Sequence, residues 1–347
     1  MRGSQFKDSA ILVTGGTGTI GSEIVRQLLA FEPGVVRILS RDETKQAELR
    51  VALGPHPNLR YLIGDIRDAD RLRCALEDID LVFHAAALKH VPACEYNPFE
   101  AVQTNVVGTQ NLIQACRSTG VKRLVLISTD KAVNPQNTMG ATKLLAENLV
   151  RASQEWNSRL AMCTVRFGNV LGSRGSLVPL LLRQIRERNE VELTSRLMTR
   201  FMMTIEDAVG LVLTAASVCQ GGELYILKMP ALRVADLVAV VVEEYCEFTG
   251  VSPGAIAVRE SGVRRGEKIH EELITREEFD RLETQDNLYV VRSTSSVSSP
   301  GGNQLLPDEF NSERSARLSR AEIRAMLRRA GVLASIEKSQ PVETVAV

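Results

Sequence analysis

Three glycines, Gly15, Gly18 and Gly21, follow the apolar run Ile11-Leu12-Val13-Thr14 and lead into Ser22–Leu29, an amphipathic stretch. In such a turn the first glycine permits the tight bend, the second lets a pyrophosphate approach the backbone, and the third lets helix and strand pack closely. The helix start then offers free N–H donors and the positive end of its dipole. Thr17, Thr19 and Ile20 belong to the same turn, whose place between strand and helix points to dinucleotide binding, a purely structural turn being the other reading. A second group, Ser40-Arg41-Asp42, stands where a dinucleotide site holds the adenosine ribose. An arginine there accommodates a 2′-phosphate and a carboxylate takes a 2′-hydroxyl. Arg41, with Lys45 one helical turn on, favours NADP, and Asp42 keeps NAD as the lesser option; the same residues also suit a solvated helix start. Asp65, followed by Ile66, could accept from the adenine amino group or serve as a turn residue. Ala85-Ala86-Ala87, ahead of Lys89, leaves room for a flat ring against the backbone, and Asn105 is a polar residue in an apolar stripe that could brace neighbouring loops.

The elements that must position these groups alternate. Strands are expected at Ala10–Thr14, Val35–Ser40, Leu59–Ile63, Leu81–Ala86, Arg123–Ser128 and Ala161–Phe167. Between them helices are expected at Ser22–Ala30, Glu43–Leu53, Ala69–Glu77, Phe99–Arg117 and Ala141–Trp156. Short apolar runs separated by helical periods imply βαβ units and an α/β, Rossmann-type, doubly wound parallel sheet. From about Gly172 the alternation breaks down. A helix at Val178–Arg188, a strand at Glu223–Lys228 and a helix at Val234–Glu247 read as a smaller C-terminal substrate-binding lobe. The expected division is residues 1–171, an NADP-binding domain that can regain later segments, then 172–333, mainly the second lobe, then a flexible tail at 334–347. Ser319-Arg320-Ala321-Glu322 is a capping-box pattern opening a last helix, with Gly331 as its stop, and Ser293–Asn303 reads as a low-complexity loop.

Composition narrows the classes. Among 347 residues, 42 Lys and Arg balance 42 Asp and Glu, which argues against a general binder of nucleic acid or anionic membranes. Apolar runs such as Leu237–Val242 are far too short to cross a bilayer, and no signal-peptide pattern is read. The six scattered cysteines form no CxxC pair, which points to reduced thiols in a cytoplasmic protein. The four histidines show no metal-ligand spacing, so no metal is expected.

The glycine turn, His84-Ala85-Ala86-Ala87, and Ser128-Thr129 ahead of a helix bearing Lys143 resemble the extended short-chain dehydrogenase/reductases. Within that group, SRDETK, HAAALKHVPACEYNPFEA, STDKAVNPQNTMGATK, RFGNVLGSRGS, TRFMM and GEKIHEEL resemble, in order from about Ala10 to Leu273, the nucleotide-sugar 4,6-dehydratases of bacterial polysaccharide and glycan synthesis. The resemblance implies a homo-oligomeric UDP-N-acetylglucosamine 4,6-dehydratase that holds NADP tightly and recycles its hydride, moving it from C4 to C6 while water leaves across C5 and C6. It implies Lys131 as the C5 base, Asp130 as the acid for the leaving C6 hydroxyl, Thr129 as a hydrogen-bond partner of the 4-oxygen, and Lys143 on the nicotinamide ribose. A buried lysine must lose its proton to act as a base, which desolvation favours.

One position departs from the wider family. Four residues before Lys143, where a tyrosine is usual, stands Met139, whose thioether carries no proton. A methionine form exists in a subset of these dehydratases, especially membrane-anchored members, and leaves Met139 in the substrate-binding set with Asp130 as the candidate relay for the 4-hydroxyl proton. The resemblance further implies Val170 beside the cofactor, Lys89 and Asn169 toward the substrate, Arg200 and Arg264 neutralising the sugar diphosphate, and Glu267 on the uridine ribose hydroxyls. The usual Arg-Pro-Gly-Glu-Lys is here Arg264-Arg265-Gly266-Glu267-Lys268, so the phosphate contact stays open between Arg264 and Arg265. Two other readings stand beside the dehydratase: a nucleotide-sugar epimerase, which shares the C4 oxidation, and an NADP-binding regulatory protein without catalysis.

Overall fold

The structure, a computed structural model, describes residues 5–156, 159–173, 175–285, 288–293 and 307–333. The expected Ser/Gly-rich loop, from residue 294 on, and the 334–347 tail lie outside them. In chain order the first part runs β1 Ala10–Thr14, α1 Thr19–Leu29, β2 Val35–Ser40, α2 Glu43–Leu53, β3 Leu59–Ile63, α3 Ala69–Ala75, β4 Leu81–His84, α4 Val91–Tyr96, α5 Pro98–Val102, α6 Gly108–Thr119, β5 Arg123–Ile127, α7 Thr138–Trp156 and β6 Ala161–Arg166. There follow β7 Asn169–Val170, α8 Leu177–Arg188, β8 Glu190–Leu193, β9 Thr199–Met203, α9 Ile205–Val218, β10 Leu224–Leu227, β11 Ala231–Arg233, α10 Val234–Thr249, β12 Ala257–Glu260, α11 Arg276–Phe279, β13 Leu282–Gln285, β14 Leu288–Val291 and α12 Arg320–Arg329.

Two compact units result. The first comprises the described residues of Met1–Phe167, Glu206–Lys228 and Glu272–Pro307; the second those of Gly168–Ile205, Met229–Glu271 and Asp308–Val347. The contact boundary therefore falls at Phe167, and two later segments return to the first unit. One of them carries the strand expected at Glu223–Lys228. It is not part of a second lobe: as β10 it pairs in parallel with β6. Its residues Tyr225, Ile226 and Leu227 are buried, so it extends the main core instead of needing one of its own.

The first unit is built on a nine-stranded sheet in the order β13-β14-β10-β6-β5-β4-β1-β2-β3. From β3 to β10 it is parallel, and antiparallel β14 and β13 finish it. β1 and β4 are apolar and buried on both faces, as strands covered by helices must be. The strand order reverses between β1 and β4, which makes the carboxyl ends of these two strands the switch point where open α/β sheets take ligands. The register brings those ends level, with Thr14 opposite both Leu39 and His84, and His84 opposite Leu126.

The helix expected at Phe99–Arg117 is three pieces: α5, one π-helical turn at Gln103–Val107, and α6. The apolar periodicity of a π turn is too close to that of an α-helix to show in sequence. In the second unit, three-stranded β11-β9-β7 and two-stranded β12-β8 accompany an apolar core from α8, α10 and α12, including Leu181, Ile185, Leu237, Val241, Ile323 and Leu327. α12 opens with the expected capping box, both bonds formed between Ser319 and Glu322.

Candidate functional site

The glycine turn leaves β1 at Thr14 and enters α1 at Thr19. Gly15 has φ +65°, and a Cβ there would lie 2.7 Å from the Ala86 backbone. A Cβ on Gly21 would strike the Gly15 carbonyl and the Gly16 Cα. Only glycine lets the turn close this tightly against both β4 and α1. Gly18 occupies the N-cap position of α1 and, with no side chain, makes no side-chain cap bond to the first turn. Thr17 is buried, and Thr19 and Ile20 are half-buried. Backbone shape and helix end together fit a dinucleotide pyrophosphate.

At the end of β2, Ser40 is buried and Arg41 is about half exposed, with its guanidinium 3.4 Å from Asp65. Asp42 is already used: it caps α2 by accepting from the Lys45 N–H at 3.0 Å, and its other oxygen lies 2.6 Å from the Lys45 ammonium. Lys45 thus pairs with Asp42, and Arg41 is the cation of this group that turns toward Asp65. Burial alone would raise the Asp65 carboxyl, but the hydrogen bonds of Arg67 and the charges of Arg41 and Arg67 hold it below the usual range. The Ile66 side chain is part of the apolar core, packed against Gly108.

Ala86 and Ala87 are half-buried past β4, and Lys89 is exposed. Asn105, on the π turn, is buried and clamps this segment from below: its Oδ1 accepts from the Leu88 N–H at 2.8 Å, and its Nδ2 donates to the Leu88 carbonyl and to Thr142 Oγ1, both at 3.0 Å. Every polar atom of the amide is matched, as a buried amide requires.

β5 delivers Ser128-Thr129, and Asp130–Ala132 forms a single 3₁₀ turn. Asp130 is completely buried. Its Oδ1 accepts from Thr129 Oγ1 at 2.9 Å and from the Lys131 ammonium at 3.0 Å, whereas Oδ2 is buried with no protein partner. The side chain of Lys131 is 24 % exposed and ion-paired, so it is not the desolvated free amine expected from the sequence. Lys143, on the first turns of α7, donates to the Ile127 carbonyl at 2.5 Å. Burial pushes this lysine down to about 8, against the opposing charge of Glu147.

The helix expected from Ala141 starts earlier, at Thr138, so Met139 lies on the first turn of α7, its side chain buried in a small apolar cluster with Cys94 and Ala101, flanked by Leu88 and Val91. In this structure the side chain packs among apolar neighbours. A thioether prefers such surroundings to a polar site.

Sequence reasoning missed the ion network behind this turn. The fully buried Arg166, the last residue of β6, bonds both oxygens of Glu147 at 3.2 and 2.6 Å, both oxygens of Glu278 at 2.9 and 3.0 Å, and the Leu273 carbonyl at 2.8 Å. Ser128 Oγ donates to the same Glu147. Burial would raise the Glu278 carboxyl, but the Arg166 charge and its hydrogen bonds hold it below the usual range. The only hint in the sequence was Glu147 one helical turn after Lys143. A cavity of about 170 Å³, lined by Glu147, Thr164, Glu223, Glu278 and Arg281 among others, contains none of the expected catalytic residues.

In the second unit, β7 holds Asn169 and a buried Val170 in parallel pairing with Met202 and Met203 of β9. Arg200 is buried, and its guanidinium donates to the carbonyls of Thr199, Lys268 and Ile269 at 2.7 to 3.0 Å. It therefore braces the 268–269 backbone. Arg264 is more than half exposed, 3.7 Å from Glu192. Glu267 places one oxygen 3.7 Å from Arg200 and keeps Oε2 buried without a partner.

A glycine turn at the switch point after β1, with the Asp130-Lys131 pair two strands over at the end of β5, is the arrangement of a dinucleotide-type α/β fold. The model of the polysaccharide biosynthesis protein family matches residues 11–293, and the chain belongs to that family. It is 49 % identical to an uncharacterized membrane protein of Methanocaldococcus jannaschii over 93 % of this chain and 96 % of that one. It is 40 % identical to the UDP-N-acetylglucosamine 4,6-dehydratase (inverting) of Campylobacter jejuni over 82 % of this chain and 83 % of that one. A protein named UDP-glucose 4-epimerase from Rickettsia bellii is 38 % identical with the same coverage. Among solved structures, Pen from Bacillus thuringiensis superposes with TM-score 0.87 and 41 % identity over 93 % of this chain and 98 % of that one. DesIV, a dTDP-glucose 4,6-dehydratase from Streptomyces venezuelae with NAD bound, gives TM-score 0.67 and 26 % identity over 75 % and 86 %. Among the described residues, no helix is long and apolar enough to cross a membrane.

Proposed function

We propose that the protein is an NADP-dependent UDP-N-acetylglucosamine 4,6-dehydratase, forming a UDP-4-keto-6-deoxy-N-acetylhexosamine and water for polysaccharide or glycan synthesis. The observation that carries this reading is Asp130: a wholly buried carboxylate with Oδ1 held by Thr129 and Lys131 and Oδ2 left for a ligand. A buried polar atom without a partner is costly, and a substrate hydroxyl would remove the cost.

The Gly15–Gly21 turn and the uncapped start of α1 suit the pyrophosphate, Arg41 suits a 2′-phosphate, and Lys143 suits the nicotinamide ribose. The bound nicotinamide supplies reversible hydride acceptance, from C4 and back to C6. The chain's own residues handle the protons. Asp130 takes the 4-hydroxyl proton, because Met139 cannot, while Thr129 holds the 4-oxygen. Once C4 is a ketone the C5 proton is acidic; Lys131, acting as the neutral amine, would remove it and give a proton back to C5 as hydride returns to C6. Asp130 returns a proton to the C6 hydroxyl as it leaves as water. In the second unit, Glu267 would accept from ribose hydroxyls, Arg264 would meet phosphate, and Asn169 the diphosphate.

The test is incubation of the purified protein with UDP-N-acetylglucosamine, followed by mass and NMR spectra of the product. Loss of one water supports the proposal. An unchanged mass with a new sugar indicates the epimerase reading, which the name of the Rickettsia bellii relative favours. No turnover with retained cofactor indicates a binding protein.

A further inference from the structure

His84 ends β4 at the switch point, is 1 % exposed, and has no part in the proton chemistry above. Its Nδ1 lies 2.7 Å from Thr14 Oγ1 and its Nε2 lies 3.0 Å from Thr109 Oγ1. Thr109 Oγ1 is also 2.7 Å from the Asn105 carbonyl, and the Ala86 N–H points at Thr14 Oγ1 from 3.4 Å. These contacts admit one consistent set of protons. The Asn105 carbonyl can only accept, so Thr109 spends its single hydroxyl proton there. Thr109 Oγ1 must then accept from His84, which puts the ring proton on Nε2. Nδ1 is left as an acceptor for the Thr14 hydroxyl, which in turn accepts from Ala86. Reversing the order would leave the Thr14 hydroxyl proton facing another donor and the Asn105 carbonyl facing an oxygen with no proton to give.

We propose that His84, held as the Nε2–H tautomer, is a positioning residue for the dinucleotide site. This rests on reading the Gly15–Gly21 turn as that site. The relay has two ends. One holds the Ala86 backbone, against which Gly15 packs without room for a Cβ. The other holds the π turn, from which Asn105 clamps both backbone polar groups of Leu88 and reaches Thr142, the residue before Lys143. Thr142 passes its own proton to the Met139 carbonyl at 2.8 Å. One ring thus ties the floor of the glycine turn to the start of α7. Burial keeps the ring uncharged, driving its value down to about 3, with the nearby Lys143 charge acting the same way.

The experiment uses the full chain. In protein labelled with ¹⁵N-histidine, the His84 signals, assigned by their loss in His84→Gln, should show a proton on Nε2 and none on Nδ1 at neutral pH. The Nδ1–H tautomer or an imidazolium overturns the proposal. Binding of NADP and of NAD is then titrated for Thr109→Val, which keeps the volume and removes the relay, well below its unfolding temperature. Roughly five- to hundredfold weaker binding of both, with the folded state intact, is expected. His84→Gln, which can still donate from the Nε2 position, should bind more tightly than His84→Phe. Wild-type affinity in Thr109→Val overturns the positioning role while leaving the dinucleotide site standing. Failure of the wild-type protein itself to bind either dinucleotide overturns both.

Discussion

A methionine stands four residues before the helix lysine, and its side chain is enclosed by Cys94, Ala101, Leu88 and Val91. Sulfur so placed packs and does not relay protons, which is why the proposal gives that work to Asp130. Met139→Leu, similar in volume, should therefore keep activity within a few-fold. Asp130→Asn should lose about 10²–10⁴-fold in both C4 oxidation and elimination, the usual cost of one positioned acid–base group. Single-turnover NADPH formation measures the first step and product mass the second. C4 oxidation at the wild-type rate in Asp130→Asn would restrict this residue to C6. At the ribose end, Asp42 is committed to capping α2 and to Lys45, whereas Arg41 reaches only the partly shared Asp65. Arg41→Ala should thus weaken NADP more than NAD in paired titrations, and equal losses would remove Arg41 as the selector.

At the scale of elements, the glycine turn and the π turn hold the two sides of the switch point. Gly21 lets α1 sit directly on the turn, because an added Cβ would meet the Gly15 carbonyl and Gly16. Those are backbone atoms and cannot swing aside. Gly21→Ala should force the start of α1 away from β1, costing about 1–3 kcal/mol of stability and at least tenfold in dinucleotide affinity. Urea unfolding and a binding titration check the two, and a variant that loses stability yet binds normally would show that the helix start is not the anion site. The π turn is a different lesson. Its sequence, Gln103-Thr104-Asn105-Val106-Val107, is unremarkable for a helix. The wider turn is what aims Asn105 at Leu88 and Thr142, and π turns recur at such sites.

The whole first unit is closed by charges that the sheet cannot bury unpaired. Arg166 joins Glu147 of α7 to Glu278 of α11. The depressed Glu278 carboxyl stabilises the fold above its ordinary value of 4.5, and that contribution disappears as pH falls through its lower folded value. His84 works over a higher window. Its ordinary value is 6.5 and its folded value about 3, so between them the unfolded chain takes a proton that the folded chain refuses. Stability should decline as pH drops from about 6.5, by up to ~1.4 kcal/mol per pH unit from this group. Urea midpoints over a pH series give the slope, and a flat profile from pH 6.5 to 4.5 would contradict a buried neutral His84. Glu278→Gln should lower the midpoint at neutral pH by roughly 3–5 kcal/mol equivalent, since a buried cation loses one partner, and should flatten the curve below pH 4.5.

The alternation from β1 to β6, the glycine turn, the Thr129-Asp130-Lys131 triplet and the capping box of α12 are legible in the residues alone. Each of these is written in residues a few positions apart, where periodicity and turn chemistry act. That β10 joins β6, that Met139 is enclosed, that Arg200 braces backbone, and that His84 lies between Thr14 and Thr109 emerges from the folded chain. Arg166 meets Leu273 and Glu278 across more than a hundred positions. A hydrogen bond or a packing contact depends on which atoms arrive within a few ångströms, and no local pattern of residue types records which distant segment that will be.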